Sequence, residues 1–421
     1  MILTIDDTIL MMNKFSFEII ARDSNFPLMR AGIIHTPHGN ITTPTFSVVG
    51  THADVKFLSP ENLRSIGTQV MLSNGYHLLR RATVIDAAGG LAEFNGWRGP
   101  TFTDSGGFQV MSLGSGLGKI VSMDKKDEMI QEREASKEER LAIVDDEGVE
   151  FRDPYSSRII KFTPEMSIAT QHKIGADVMM AFDELTNISD PYEYNVESLE
   201  RTRKWAERSL AEHVRQTNLR AGKRYQALYG VLQGGHWRDL REKAARDLSE
   251  MKIDGAEFDG FGLGGAFEKE NLGEILSWMT TILPPEKPRH LLGLSKPDDI
   301  FAGVENGCDT FDCVAPTREA RHGKIYTLNG DINLRRAEFA TDTQILDEDC
   351  DCPTCRAALT RQTLREMLKS SDNETRTEAF TLLSQHNVRF IMRLMEQIRS
   401  SILNNTFAQF RDEFMKKYYR H

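Results

Sequence analysis

The 421-residue chain has no excess of positive charge, no long apolar run and few cysteines. Each absence narrows what it can be. Lys and Arg number 52 against 62 Asp and Glu, a net charge of −10, so a nucleic-acid partner would have to be met by a local basic patch. No apolar stretch approaches the ~20 residues that cross a bilayer, and no membrane partner is expected. The start, M-I-L-T-I-D-D-T, has early acids and no basic segment, so it does not read as a signal peptide and a cytoplasmic protein is expected. No G-x-G-x-x-G follows the first predicted strand, which argues against a dinucleotide site. The five cysteines are odd in number, which argues against a secreted disulfide framework. What remains, 40% apolar and 27% charged, is a soluble globular chain long enough for one large α/β domain with additions, or for two domains.

Residues 1–14 read as a loose extension. Strands are predicted from Phe15 to Ala21 and across Ala31 to Val49, turning at His38-Gly39-Asn40. Ser59-Pro60 is a helix start, with Ser as N-cap and Pro at the first helical position. A rhythm then sets in: a short apolar run ends in an acid, an amide or glycine, and a helix follows later. The runs end at Asp104, Asp183, Gln233, Gly264-Gly265, Gly293 and Asp312, with helical stretches at 192–216, 236–251, 269–280 and 297–306. Alternating strands and helices predict a parallel sheet. So many units, with polar residues gathered at strand C-termini, point to an α/β fold of the (β/α)8 TIM-barrel type with its active site at those ends. An open doubly wound sheet is the structural alternative. Residues 119–149 are densely charged without a clear core face and read as an exposed insertion. The expected organisation is a barrel over 15–334 carrying that insertion, and a C-terminal subdomain over 335–421.

That subdomain holds Cys350, Cys352 and Cys355 within six residues. Three thiolates need a fourth ligand for a tetrahedral ion. The only downstream histidine besides His421 is His386, read as the head of a helix over Val388 to Leu403. Soft thiolates with one imidazole suit a closed, structural zinc site. Free buried thiols and a helix-capping histidine are the plainer alternative.

Asp104, Asp183 and Asp312 all sit at predicted strand ends. Two such carboxylates can carry out double displacement at a sugar carbon, one as nucleophile and one handling protons. Each alone could be an ordinary N-cap or ion-pair acid. After Asp312, Pro316 is expected to end the strand, and Arg318 and Arg321 to follow in a loop. With Lys324, Arg335 and Arg336 they would form the local basic patch.

Several stretches together carry a resemblance: N-G-W-R-G-P-T-F-T-D-S-G-G-F-Q-V ending at Val110, M-A-F-D-E around Asp183, V-L-Q-G-G around Gln233, G-L-S-K-P-D-D over 293–299, F-D-C-V-A-P-T-R over 311–318, and C-x-C-x-x-C with His386. In that order they resemble the tRNA-guanine transglycosylase family, of bacterial type, over about residues 15–403. The resemblance implies a (β/α)8 barrel with a zinc subdomain. It implies exchange of the wobble guanine of G-U-N tRNAs for a 7-deazaguanine, on the path to queuosine, by a homodimer. Asp312 would be the nucleophile on the ribose and Asp104 the general acid/base. Ser105, Gly106, Gly107, Asp183, Gln233, Gly264 and Gly265 would form the base pocket, with Phe108 and Leu292 against the ring. Gly293, Leu294, Ser295, Lys296, Pro297, Asp298 and Asp299, with Thr317, Arg318, Glu319, Ala320 and Arg321, would hold the RNA around a flipped-out nucleotide. The chain departs from the usual pattern at Phe108, where many bacterial members carry Tyr, and at Leu185, where Cys is common. After Gly265 it reads Ala-Phe-Glu. A non-catalytic tRNA-binding accessory subunit is the alternative class. Loss of Asp312 or Asp104 would mark it, and both are present.

Overall fold

The computed structural model describes residues 15–107, 109, 111, 142–153, 156–265 and 269–419. The N-terminal extension, Phe108 and residues 119–141 of the charged insertion lie outside the described residues. Strands β1 (Ser16–Arg22), β2 (Arg30–Thr36) and β3 (Gly39–Thr43) form a small sheet that precedes the barrel. Eight strands then close into a parallel barrel: β4 (Thr45–Val49), β5 (Val70–Asn74), β6 (Thr101–Asp104), β10 (Val178–Met180), β11 (Ala227–Leu232), β12 (Gly260–Leu263), β13 (Arg289–Leu291) and β14 (Thr310–Cys313), in that order around the ring. Three more, β7 (Ala142–Asp145), β8 (Gly148–Arg152) and β9 (Ile159–Phe162), make an antiparallel sheet between β6 and β10 in sequence, and Lys324–Ile325 pairs antiparallel with Ile332–Asn333 after the barrel.

Helices follow the strands at Tyr192–Leu219, Arg238–Glu250, Leu272–Thr280 and Pro297–Glu305, close to the stretches read from sequence. The Ser59 start is a reciprocal capping box with Asn62, with Pro60 in the first turn. By packing, the chain forms two compact units. One is built from Asn74–Phe94 and Phe102–Arg289, the other from Phe17–Ser73, Asn95–Thr101 and His290–His421.

Four local expectations are corrected. The loop expected around Arg318 and Arg321 is a helix, Ala315–Arg321. Pro316 falls in its first turn, where a missing N–H costs no helical bond. Residues 142–149 are not featureless: they supply β7 and the start of β8, and Val149 and Phe151 join Tyr76, Phe162, Phe182 and Trp205 in a buried cluster. Trp205 also donates Nε1–H to the Asp146 carbonyl at 2.9 Å, tying that sheet to the 192–219 helix. His386 lies in the middle of a 31-residue helix, Asn373–Leu403, not at its head, and a further helix, Phe407–Tyr418, comes after it. Finally, β5 was not among the strands read from sequence. Its residues, V-M-L-S-N, are buried throughout, and the Asn74-Gly75 pair that closes it opens the following short helix with Asn74 as N-cap.

Candidate active site

In the first unit, three strand ends supply one polar cluster. Asp183 follows β10, Gln233 follows β11 and Gly264 follows β12. Gln233 is buried and donates Nε2–H to Asp183 Oδ2 at 2.7 Å, and Ser105 donates its hydroxyl to Oδ1 at 3.3 Å. Burial pushes the Asp183 carboxyl up to about 6, against those two hydrogen bonds, which favour the charged form. The side chain keeps some exposure, so solvent tempers the desolvation. Gln233 Oε1 is buried and has no hydrogen-bond partner among the described residues. A buried acceptor left unpaired costs stability, and a bound ligand's N–H would satisfy it.

The glycines here are steric. A Cβ on Gly264 would lie 2.7 Å from Gln233 Nε2, so any side chain would push the amide aside. Arg241, fully buried, donates to the carbonyls of Gly264 (2.6 Å) and Gly235 (2.8 Å) and so holds both glycine turns. Ser105 Oγ also accepts from Gly107 N at 3.1 Å, folding the Ser105-Gly106-Gly107 turn back on itself. Asp104, at the end of β6, accepts from Asn74 Nδ2 at 2.9 Å. The other end of that amide, Oδ1, caps the helix Gly75–Leu78 through the Tyr76 and His77 N–H groups.

In the second unit, Asp312 is 9% exposed near the end of β14. Its Oδ1 accepts two hydrogen bonds, from Gly293 N and His290 Nε2, each at 3.1 Å. Gly293 has φ +78°, a conformation that suits glycine and turns its N–H toward the carboxylate. Leu292, just before it, is partly exposed.

The residues expected to hold RNA divide by burial. Leu294, Ser295, Pro297, Asp299, Thr317 and Ala320 are buried and shape the two helix starts, while Arg318 is exposed and Gly293, Lys296, Asp298, Glu319 and Arg321 are partly so. Asp298 accepts from Tyr419 Oη at 2.7 Å. Glu319 accepts from Tyr326 Oη at 2.8 Å and pairs with Lys324 at 3.0 Å. Arg318 and Arg321 lie one turn apart, and burial together with the neighbouring Arg318 charge holds Arg321 below the usual guanidinium range.

The ligand atoms of Cys350, Cys352, Cys355 and His386 lie within 4.8 Å of one another, and all four residues are buried. His386 Nδ1 is 3.3 Å from Cys355 Sγ and 3.6 Å from Cys352 Sγ, separations that a tetrahedral ion with ~2.0–2.3 Å bonds would span. His386 Nε2–H donates to the Tyr326 carbonyl at 2.8 Å, which leaves Nδ1 as the lone-pair donor. Arg389 grips Asp351, between the first two cysteines, through Nε at 2.7 Å and Nη2 at 2.8 Å. The cluster could hold a metal ion.

The family model described as Queuine tRNA-ribosyltransferase matches residues 27–420. Curated relatives bearing that name include one from Halalkalibacterium halodurans, 39% identical over 394 residues, 92% of this chain and 93% of the relative. One from Shouchella clausii is 40% identical over 392 residues, 92% and 93% of the two chains. One from Bacillus subtilis is 37% identical over 391 residues, 92% of each. The chain belongs to the queuine tRNA-ribosyltransferase family.

Motif reading named the strand-end residues Asp104, Asp183, Gln233 and Asp312 but not the side chains that hold them. Asn74 appears in sequence as the amide of L-S-N-G-Y-H-L over 72–78, where the family pattern is L-G-N-T-Y-H-L, with no sign of the acid it holds. His290 reads as part of an apolar run, and Arg241 as one charge among several on an amphipathic helix. Their roles come from register and burial, which no local spacing encodes. Among the described residues, no helix is long and apolar enough to cross a membrane.

Proposed function

We propose that this member of the family is a tRNA-guanine transglycosylase, a pentosyltransferase that exchanges the wobble guanine of G-U-N tRNAs for 7-aminomethyl-7-deazaguanine or queuine. The observation that carries the reading is the Asp183–Gln233 pair, one carboxylate beside one amide whose Nε2 gives one N–H to Asp183 and keeps a second to donate. Guanine offers two neighbouring donors, N1–H and the exocyclic amine, beside a carbonyl acceptor. A carboxylate takes the donors, and the remaining Nε2–H of the Gln233 amide donates to the carbonyl. A stacked anticodon base has to be turned out to reach such a pocket.

In this reading one Asp312 oxygen attacks C1′ of the ribose. The C1′–N9 bond breaks, its electron pair goes to guanine, and Asp104 in its acid form supplies the proton that lets guanine leave. The incoming base then gives its N9 proton to Asp104 and attacks C1′. The ester bond to Asp312 breaks and both acids return to their starting states. Asp312 and Asp104 each lie at a C-terminal strand end, where barrel enzymes build their sites. Exposed Arg318, with Arg321 and Lys296, supplies cationic contacts for RNA phosphate.

The Cys3His cluster fits zinc, with four protein ligands and no open position, so its part is structural. We read residues 335–421 as the subdomain it pins, and the protein as a cytoplasmic homodimer, a state that light scattering would test. The deciding experiment is base exchange on a G-U-N tRNA with labelled wobble guanine. Guanine, 7-aminomethyl-7-deazaguanine and queuine are supplied separately, with Asp312→Asn alongside. Release that requires Asp312 supports the reading. Tight tRNA binding with no release for any base favours an accessory subunit.

A further inference from the structure

Beneath Asp312 lies a short chain of buried polar groups that the exchange reaction as set out above does not use. In the barrel register, His290 on β13 is the neighbour of Thr310 on β14. Alternation along a strand puts Thr310 and Asp312 on the same face. His290 is completely buried. Its Nε2 lies 3.1 Å from Asp312 Oδ1 and its Nδ1 lies 2.8 Å from Thr310 Oγ1.

The chemistry of the two ends sets the direction of both bonds. An ionised carboxylate can only accept, so Nε2 carries the proton and donates it to Oδ1. A neutral ring then has a bare Nδ1, which accepts from the Thr310 hydroxyl. The second donor to Oδ1 is Gly293 N at 3.1 Å, and no described residue donates to Oδ2. One oxygen is thus anchored twice and the other is left to react.

We propose that His290 is a positioning residue for Asp312, its ring fixed by Thr310, and that it aims Oδ2 at the sugar carbon. This rests on the reading of Asp312 as nucleophile. A carboxylate tethered only by the Gly293 N–H could rotate about its Cβ–Cγ bond, and attack geometry tolerates little misplacement. The plainer alternative, a core histidine that merely satisfies its own nitrogens, predicts loss of stability and tRNA binding rather than selective loss of the chemical step.

The test uses the full-length protein with five variants: Asp312→Asn, His290→Phe, His290→Gln, Thr310→Val and Ser47→Ala. Ser47 is the register partner of Asp312 on β4, is fully buried, and its hydroxyl bonds no described residue. It serves as a neutral control. The measurements are tRNA dissociation constant, single-turnover guanine release, covalent tRNA adduct on denaturing gels, and melting temperature. His290→Phe is expected to slow release and adduct formation about 10- to 100-fold, with tRNA affinity within about twofold. His290→Gln, whose Nε2 can stand where the ring Nε2 stood, should recover most of that loss. Thr310→Val should show a smaller loss of the same kind, and Ser47→Ala none.

If Asp312→Asn is inactive but His290→Phe forms adduct at the wild-type rate, the positioning inference alone fails. Equal losses in His290→Phe and His290→Gln, accompanied by weakened tRNA binding, also overturn it in favour of a structural role. Exchange that survives in Asp312→Asn overturns the nucleophile reading and this inference with it.

Discussion

Gln233 donates its side-chain amide to Asp183 Oδ2 at 2.7 Å, yet the Asp183 carboxyl still titrates near 6. Desolvation outweighs two hydrogen bonds, so the pocket holds its carboxylate at a cost when no base is bound. The folded value lies above the unfolded value near 3.8. The native state therefore binds the proton more tightly, and stability is highest at low pH and falls as pH rises through about 6. A dry group would lose roughly 3 kcal/mol, and the partial exposure of Asp183 reduces that to on the order of 2. Asp259, also raised to about 6 by burial, would mask the effect in the wild type alone. The expected result is that Asp183→Asn gains stability relative to wild type between pH 4 and 7 while losing base exchange. Denaturant melts at several pH values check it, and a constant gap across that range contradicts the assignment.

The same carboxylate sets a functional limb. Guanine N–H groups need an ionised acceptor, so affinity for the free base should fall as pH drops below about 6, the value burial gives Asp183. Isothermal titration with guanine from pH 5 to 8 measures this directly. Affinity that is flat across that range would mean that Asp183 does not bind the base edge in its charged form.

Asn74 makes a second prediction separable from folding. Its Oδ1 caps the helix Gly75–Leu78, and its Nδ2 holds Asp104. Asn74→Ser keeps a good cap and loses the donor, whereas Asn74→Ala loses both. Both variants should slow exchange about 10-fold. Only the alanine variant should also melt earlier, by about 1 kcal/mol. Equal stability losses would show that the Asp104 contact, rather than the cap, anchors this helix.

The contrast between Asp104 and Asn74 shows what the sequence makes legible. The strand-end acids stand out because each closes a short apolar run, and their repetition predicts a barrel before any contact is known. Asn74 and His290 matter only because neighbouring strands bring them to those acids, and one chain position carries no trace of its lateral neighbour. The helix Ala315–Arg321 was misread for a local reason: proline ends a strand or opens a helix with equal ease, and the choice depends on where Val314 turns. The Ile159–Phe162 and Gly148–Arg152 strands were hidden among charges because only one face of their sheet is buried. The Cys3His cluster, which could hold a metal ion, was legible because three of its four residues fall within one short loop.

Gly264 gives a steric prediction. A Cβ there would stand 2.7 Å from the flexible end of Gln233, which can move aside without disturbing the backbone. Gly264→Ala should therefore melt within about 1 kcal/mol of wild type, but raise the KM for the incoming base at least about 10-fold, as expected when a polar contact is displaced. Steady-state exchange with varied base concentration reads it. A normal KM would mean that the Gln233 amide does not touch the base.

Metal removal should dissect the molecule. Cys350, Cys352 and Cys355 lie inside a buried cluster with Phe339, Leu346, Leu364, Leu368 and Leu383, so an ion held by them and His386 would join the short loop at 350–355 to the long helix. Without it, three thiolates would share an apolar pocket with a single imidazole beside them, and they must take up protons to remain buried. Chelation is expected to release one zinc per chain and to raise amide hydrogen exchange across 339–368 and the middle of the Asn373–Leu403 helix. Strands β10–β12 should keep their protection. The site is closed, so the chemistry should suffer only indirectly, through weaker tRNA binding, and His386→Ala should reproduce the pattern without chelator. Unchanged exchange over 350–386 after measured zinc loss would overturn the structural role. Lost base exchange with intact tRNA affinity would instead tie the ion to the chemical step, against the four-ligand geometry.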